Sequence, residues 1–317
     1  MIEAVVTARH TLAQAICSFE LSRADGVPLP AFSAGAHIDV HLPNGLVRQY
    51  SLCSAPWELQ RYTIGVLNDE ASRGGSSAMH EQVHVGQRIM ISAPRNLFPL
   101  VQGAEQTLLF AGGIGITPIL CMAEELHRQG ADFQLHYSAR AAQRAAFVER
   151  LRNSPFAERV HLHFDDQPSS QQLDANAVLA APHNAKHLYV CGPNGYMAHI
   201  LDTAKAQGWA DACLHREYFA AHPTNNTYAN SFSVQIKSSG QIIPVSASQT
   251  VAAALEAAGV FVPLSCEQGL CGSCLTGVLE GEPDHRDQYL SPEEQASNNQ
   301  FTPCCSRAKS ASLLLDL

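Results

Sequence analysis

The chain is poor in charge. Only 15% of its 317 residues are Asp, Glu, Lys or Arg, and the acids outnumber the bases 29 to 20. A net charge of −9 argues against nucleic acid or an anionic membrane surface as a partner. No apolar run approaches the roughly 18 residues that cross a bilayer. The first residues, MIEAVVTARHTLAQ, lack both a basic start and an apolar core, so no export signal is expected and the expected location is the cytoplasm. Without export, a disulfide framework is not expected for the ten cysteines; they should be buried, catalytic or metal-bound. Internal repeats and low-complexity tracts are also lacking. A chain of this length and ordinary composition leaves room for two or three globular domains.

What is present falls into three styles. Up to about residue 102, short alternating runs (HIDVHLP, RYTIGVL, QRIMISAP) sit between turns such as PNGL, which reads as an antiparallel barrel. Over 103–222, apolar strands alternate with helices: QTLLFAGGIGITPILCMAEELHRQG, FQLHYSA, a helix near AAFVERLRN, RVHLHF and KHLYVCG. That pattern predicts a doubly wound parallel sheet, with Gly130 closing the first helix. Residues 223–231 are polar and read as a linker. From 232 to 317 a hairpin (SFSVQIKSSGQIIPVSA), a short helix (TVAAALEAAG) ending at Gly259 and a strand (SCLTGVLEGEP) suggest a small α+β domain of the β-grasp type. The fold class is therefore multidomain: barrel, α/β sheet, then α+β.

Five cysteines are scattered, and five lie in the last 52 residues. Cys266, Cys271 and Cys274 form C-x4-C-x2-C, with Cys304 and Cys305 further on. This is the plant-type [2Fe–2S] ferredoxin spacing. Four soft, charged thiolates suit an iron pair bridged by sulfide. Gly269 and Gly272 would let backbone amides approach the sulfurs. Zinc is the alternative, although zinc sites usually show two close cysteine pairs and only one stands here. The last part of the chain resembles plant-type ferredoxin domains, which implies Cys304 as the fourth ligand, with Cys305 a core thiol facing the other way on the same strand.

Two further turns carry glycine. AGGIGITP joins a strand to a helix and places amides where a pyrophosphate could sit; Gly113 and Gly115 fit the dinucleotide pattern, but Pro118 stands at its third glycine. YVCGPNGYM ends another strand. Together they resemble the NAD(P) domain of the ferredoxin–NADP reductase superfamily. The resemblance implies that Gly113, Gly115, Thr117 and Pro118 line the pyrophosphate turn. It also implies that Cys191, with Gly192 and Pro193, packs near the nicotinamide carbon that donates hydride. Ser138 and Arg140 of HYSAR lie where the adenosine end should bind. No acid there selects a ribose 2′-hydroxyl, and Arg140 with Arg144 could favour a 2′-phosphate, so NADH and NADPH both stay open on sequence alone.

RQYSLCSAP resembles the same superfamily's flavin motif. It implies that Arg48 meets the flavin phosphate, that Tyr50 lies along the ring or ribityl chain with Leu52 nearby, and that Ser51 approaches the reactive N5. A guanidinium fork suits phosphate and an aromatic face suits a flat ring. Gly74, Gly75, Ser76 and Ser77, in SRGGSSAMH, read as an anion site at a helix start. In HREYFA, Phe219 matches the family aromatic that shields the flavin face. His161 and His163 alternate along one strand without a metal-site pattern.

Taken in order, the three parts resemble the phthalate dioxygenase reductase family, which includes reductase subunits of O-demethylase systems. The resemblance spans the chain and implies FMN, NADH and a [2Fe–2S] centre near about −400 mV. The implied partner is a terminal Rieske-type oxygenase. Ser51, Cys191 and Phe219 are the expected catalytic residues, and Cys266, Cys271, Cys274 and Cys304 the metal ligands. Nothing in the sequence demands more than a monomer. A stand-alone NAD(P)H flavin oxidoreductase and a zinc-stapled nucleotide-binding protein are the alternatives. Residues 226–317 carry a net charge near −5. Glu280, Glu282, Asp284, Asp287, Glu293 and Glu294 could steer a basic partner, or simply solubilise the domain.

Overall fold

Period-two alternation in the first hundred residues folds into seven strands: β1 (Ile2–Ala13), β2 (Ile16–Arg23), β3 (Ala36–His41), β4 (Val47–Ser51), β5 (Tyr62–Leu67), β6 (Arg88–Ile91) and β7 (Arg95–Asn96). In the computed structural model, which describes residues 1–219 and 230–317, they pair in the order β4-β3-β6-β1-β2-β5, with β7 on β3. The outer strands meet through the Leu52–Ile64 bridge and through Cys53 N–H donating to Thr63 O at 2.9 Å, so the sheet closes as a barrel. Phe19, Ile38, Leu52, Ile64 and Ile91 fill its interior. One helix, α1 (Gly75–Gln82), lies after β5.

The same unit, Met1–Phe219, contains the parallel sheet. Its strands are β8 (Gln106–Gly112), β9 (Phe133–Ala139), β10 (Val160–Phe164), β11 (Lys186–Cys191) and β12 (Leu214–Glu217), in the order β10-β9-β8-β11-β12. The helices are α2 (Ile116–Arg128), α3 (Val148–Arg152), α4 (Ala175–Val178) and α5 (Asn194–Ala206). Leu108, Leu109, Phe110 and Ala111 of β8 are all fully buried because both faces of the sheet are covered. Ile119, Leu120 and Met122 of α2 pack in the core on one face, and Met197, Ile200 and Ala204 of α5 in that on the other. Strand order reverses between β8 and β11, which opens a crevice at their carboxyl ends.

Helix α3 is shorter than its sequence suggests. Ala145 is extended, Phe147 is left-handed at φ 61°, and Ala146 N–H donates to the buried Tyr137 hydroxyl at 3.0 Å. That tertiary bond holds the preceding segment out of the helix.

The second unit is described from Asn230. It comprises β13 (Phe232–Ile236), β14 (Ile242–Val245), α6 (Val251–Ala257), β15 (Thr276–Glu280), β16 (Pro283–Asp284), α7 (Pro292–Ser297), β17 (Gln300–Phe301), β18 (Arg307–Ala308) and β19 (Ser312–Leu315). The main sheet runs β14-β13-β19-β15-β17, with β13 parallel to β19, as in a β-grasp. Thr250 caps α6 by accepting from Ala253 N–H at 3.1 Å; Val251, Ala254 and Leu255 then join Val234 and Leu313 in the core. The expected linker over 223–231 lies outside the described residues except for Asn230 and Ser231.

Candidate functional site

The first element of the site is a cation set against a helix start. Arg48 leaves β4 beside α1. A methyl group on Gly75 would come within 2.6 Å of Arg48 Cγ and 2.7 Å of Nε, so the guanidinium stem lies directly on the backbone of the first α1 residue. Gly74 caps the helix in the left-handed region at φ 87°. Ser76 Oγ accepts from Asp69 N–H at 3.2 Å, and Ser76 N–H donates to Ser72 Oγ at 3.3 Å. The loop is thus folded on itself, and its helix end faces a fixed positive charge. That is a donor set for a phosphate. Ser77 is half-buried on the same turn. Two residues along β4, Tyr50 is half-buried, and burial raises its phenol above the usual range.

The second element joins barrel to sheet. Ser51, the last residue of β4, is buried, and its hydroxyl donates to Glu217 Oε2 at 3.1 Å. Glu217 ends β12 in register with Cys191, the last residue of β11. Cys191 is fully buried, and burial with the nearby Glu217 carboxylate pushes its thiol well up. Enclosure of the Glu217 carboxylate pushes it up to about 7, opposed by the Ser51 hydrogen bond. Ser51, Cys191 and Glu217 thus gather at the carboxyl ends of strands from two domains. No local sequence pattern marks Glu217 for a role. The signal was present only as an acid next to an aromatic in HREYFA; its register with Cys191 is a property of strand pairing.

The glycines explain how the crevice forms. A side chain on Gly115 would strike the Cys191 carbonyl, and one on Gly192 would lie 2.9 Å from Gly112 Cα. The two strand-end turns therefore touch backbone to backbone. Gly113 takes φ 53° in the short 3-10 turn that precedes α2. Thr117 is turned elsewhere: its hydroxyl donates to Ile114 O at 3.1 Å, and its methyl would sit 2.8 Å from a Cβ on Gly65 of β5. Pro118 is buried in the first turn of α2, and Pro193 caps α5. Ser138 lies near the carboxyl end of β9, with Arg140 exposed just beyond it. Leu52 is fully buried in the barrel wall, while Phe219 is 39% exposed.

The second unit holds its own site. Cys266, Cys271, Cys274 and Cys304 are all buried. Cys266 meets Cys271 and Cys304, and Cys304 also meets Cys274. Gln268 and Leu270 N–H each donate to Cys266 Sγ at 3.4 Å, and Ser273 N–H to Cys271 Sγ at 3.5 Å. These bonds need a coiled loop, with left-handed φ at Glu267, Gly269 and Gly272. A side chain at Gly269 would strike Cys305 Sγ. The neighbouring Cys271 and Cys304 thiols, helped by two backbone amides, hold Cys266 far below the usual thiol range, and the same contacts raise Cys304 and Cys271. Four thiols this close cannot all ionise without added positive charge. The donor set therefore fits a polynuclear iron centre. Among the described residues, no group of three or more His, Cys, Asp or Glu is arranged to hold a single metal ion.

Two expectations change. Cys304 and Cys305 sit in a turn between β17 and β18, not on one strand, because Cys305 and Ser306 N–H both donate to Thr302 O. Cys305 is half-buried, with Sγ 3.2 Å from Thr302 Oγ1, so it is not a core thiol. The acidic residues are also largely occupied. Asp287 is buried and accepts from Leu290 N–H and Ser306 Oγ. Glu294 closes the capping box of α7, Asp284 pairs with Arg286, and Glu282 pairs with Lys309. Glu280 and Glu293 are exposed.

The 2Fe-2S iron-sulfur cluster binding domain family matches residues 234–309. Vanillate O-demethylase oxidoreductase of Pseudomonas sp. strain HR199 is 60% identical over 317 residues, covering all of both chains. The protein of the same description from Pseudomonas putida is 61% identical over 318 residues, again covering both in full. Among solved structures, phthalate dioxygenase reductase, described as modular for electron transfer from pyridine nucleotides to [2Fe-2S], is 38% identical. It matches 100% of this chain and 98% of its own with a TM-score of 0.79.

Proposed function

The chain belongs to the family of the vanillate O-demethylase oxidoreductases and phthalate dioxygenase reductase, and from that premise we propose that it is the reductase of an oxygenase or O-demethylase system, taking reducing equivalents from NADH and delivering them one at a time to a partner oxygenase. The observation that carries this reading is the convergence of Ser51, Cys191 and Glu217 where a barrel strand and two sheet strands end, in a chain that also gathers four cysteines.

When bound, FMN would supply the exchange of a hydride's electron pair for single electrons, and a [2Fe–2S] centre would hold one at a time. The protein's part is positional. Arg48 and the α1 amides hold the flavin phosphate. Tyr50 borders the ring, Leu52 anchors the strand end behind it in the barrel core, and Ser51 presents a hydroxyl whose direction Glu217 fixes. Gly113 and Gly115 let the dinucleotide phosphates approach backbone amides, with Pro118 setting the start of the helix behind them. Ser138 and Arg140 receive the adenosine end. Cys191, between Gly192 and the β11 core, presents a small, neutral, apolar thiol to the nicotinamide. Phe219 covers the exposed flavin face. Cys266, Cys271, Cys274 and Cys304 hold the iron. The barrel is assigned to 1–102, the nucleotide domain to 103–222 and the ferredoxin domain to 232–317, and the chain acts as a monomer.

The test separates the two sites. Cys271→Ser should lose the iron centre and all NADH-dependent turnover of the partner oxygenase, while NADH still bleaches the flavin at near the wild-type rate. A variant that still drives the oxygenase contradicts the assignment of the exit site.

A further inference from the structure

The ferredoxin unit exposes apolar side chains beside its cysteine loop. Phe261 is 84% exposed, an unusual state for so large an apolar residue. It stands on the segment between α6 and Cys266. Five residues of chain span at most about 18 Å, so it is tethered near the loop. Its neighbour Val262 is buried in the core, which fixes the backbone while Phe261 points outward. Leu275 follows the buried Cys274 and is 37% exposed. The Tyr289 ring lies over Gly272 within the loop and is also partly exposed.

Charge limits what can cover this patch. All four basic residues of the described unit are engaged. Lys237 pairs with Asp316, Arg286 with Asp284 and Lys309 with Glu282, while Arg307 is buried against the carbonyls of Gln249, Asn230 and Ser246. Glu256, five residues before Phe261, is exposed. A second copy of the same unit, with its own net charge near −5, would bring like charges together.

We infer that Phe261, on the segment that leads into Cys266, is the apolar anchor by which a redox protein with a basic rim docks at the cluster loop, where Leu275 and Tyr289 are also partly exposed. This rests on the reductase reading above and names the contact through which its electrons leave. Electron exit needs the acceptor close to the buried thiols. A docking face at the loop meets that need.

The experiment uses the full-length holoprotein and purified vanillate O-demethylase oxygenase component, with product formation measured against oxygenase concentration. Phe261→Ser should raise the apparent KM for the oxygenase at least about tenfold, while the rate at saturating oxygenase stays within about twofold. Iron–sulfur absorbance should be unchanged, since the side chain supports no core. Phe261→Leu should recover part of the loss. Ile242→Ser, which removes an exposed side chain from β14, should leave KM unchanged. The wild-type KM should rise with ionic strength. An unaltered KM in Phe261→Ser overturns the anchor, and a KM flat with salt overturns the basic rim. A wild-type protein that cannot drive the oxygenase at all overturns the reductase reading, and this inference with it.

Discussion

Glu217 carries more information than any other single side chain outside the cysteine loop. Its carboxylate is enclosed, held by Ser51 and pushed up to about 7 from an ordinary 4.5. A carboxylic acid raised in this way is protonated more readily in the native than in the unfolded chain. Its contribution is therefore fully favourable below about pH 4.5 and is lost as pH rises through about 7. Glu217→Gln should remove that slope, which amounts to on the order of 2–3 kcal/mol across the window. Denaturant midpoints measured from pH 4.5 to 7.5 check it; a variant with the same slope as wild type places the titration elsewhere. Gly75 gives a second test at this scale. Gly75→Ala would push a methyl into Arg48 Cγ and Nε, and the flexible guanidinium would swing away without unfolding the barrel. Flavin affinity should fall about tenfold or more, in the range of one lost charge-assisted bond. Fluorescence titration with FMN measures it, and an unchanged Kd contradicts the phosphate assignment.

At the scale of elements, β9 and β10 show how pairing creates properties that spacing conceals. His161 and His163 looked inert in sequence. In the sheet they stack on His136, with ring centroids 4.7 and 5.4 Å away, and His136 also stacks on Phe110 of β8 at 5.3 Å. Burial and the two neighbouring imidazoles push His136 down to about 3. A histidine lowered in this way stabilises the native state above about pH 6.5, and that stability is lost as pH falls towards 3. The sign is opposite to that of Glu217. His136→Phe should reduce the loss of stability between pH 6.5 and 5 by about 2 kcal/mol, read by thermal or denaturant unfolding. An equally acid-sensitive variant refutes this.

The same scale shows what was legible. Strands β3, β5, β9, β10 and β11 could be read because their alternation or apolar runs are local properties, as could α6 with its Thr250 cap and Gly259 end. The spacing of Cys266, Cys271 and Cys274 is likewise a local property, and the three lie buried in one loop. The short α3 could not be read, because a tertiary bond from Ala146 to Tyr137 overrides its helical pattern. Nor could the meeting of Ser51 with Glu217, 166 residues apart, or the turn that holds both Cys304 and Cys305. Each depends on which strands pair and in what register, which the local pattern does not carry.

For the whole molecule, three folds are needed because no one of them performs the full conversion. The barrel and the parallel sheet form one unit whose strand ends meet at Ser51, Cys191 and Glu217. The β-grasp unit contributes four buried thiols crowded beyond what neutral cysteines require. The most direct measurement of the account is an anaerobic NADH titration of the purified chain. It should follow bound iron and sulfide, visible absorbance and electron paramagnetic resonance together. The predicted result is one flavin and one [2Fe–2S] centre per chain, with the resonance of a reduced iron–sulfur centre growing as NADH is added. A preparation that holds flavin but no iron or sulfide, or an iron centre that NADH leaves oxidised, would contradict it.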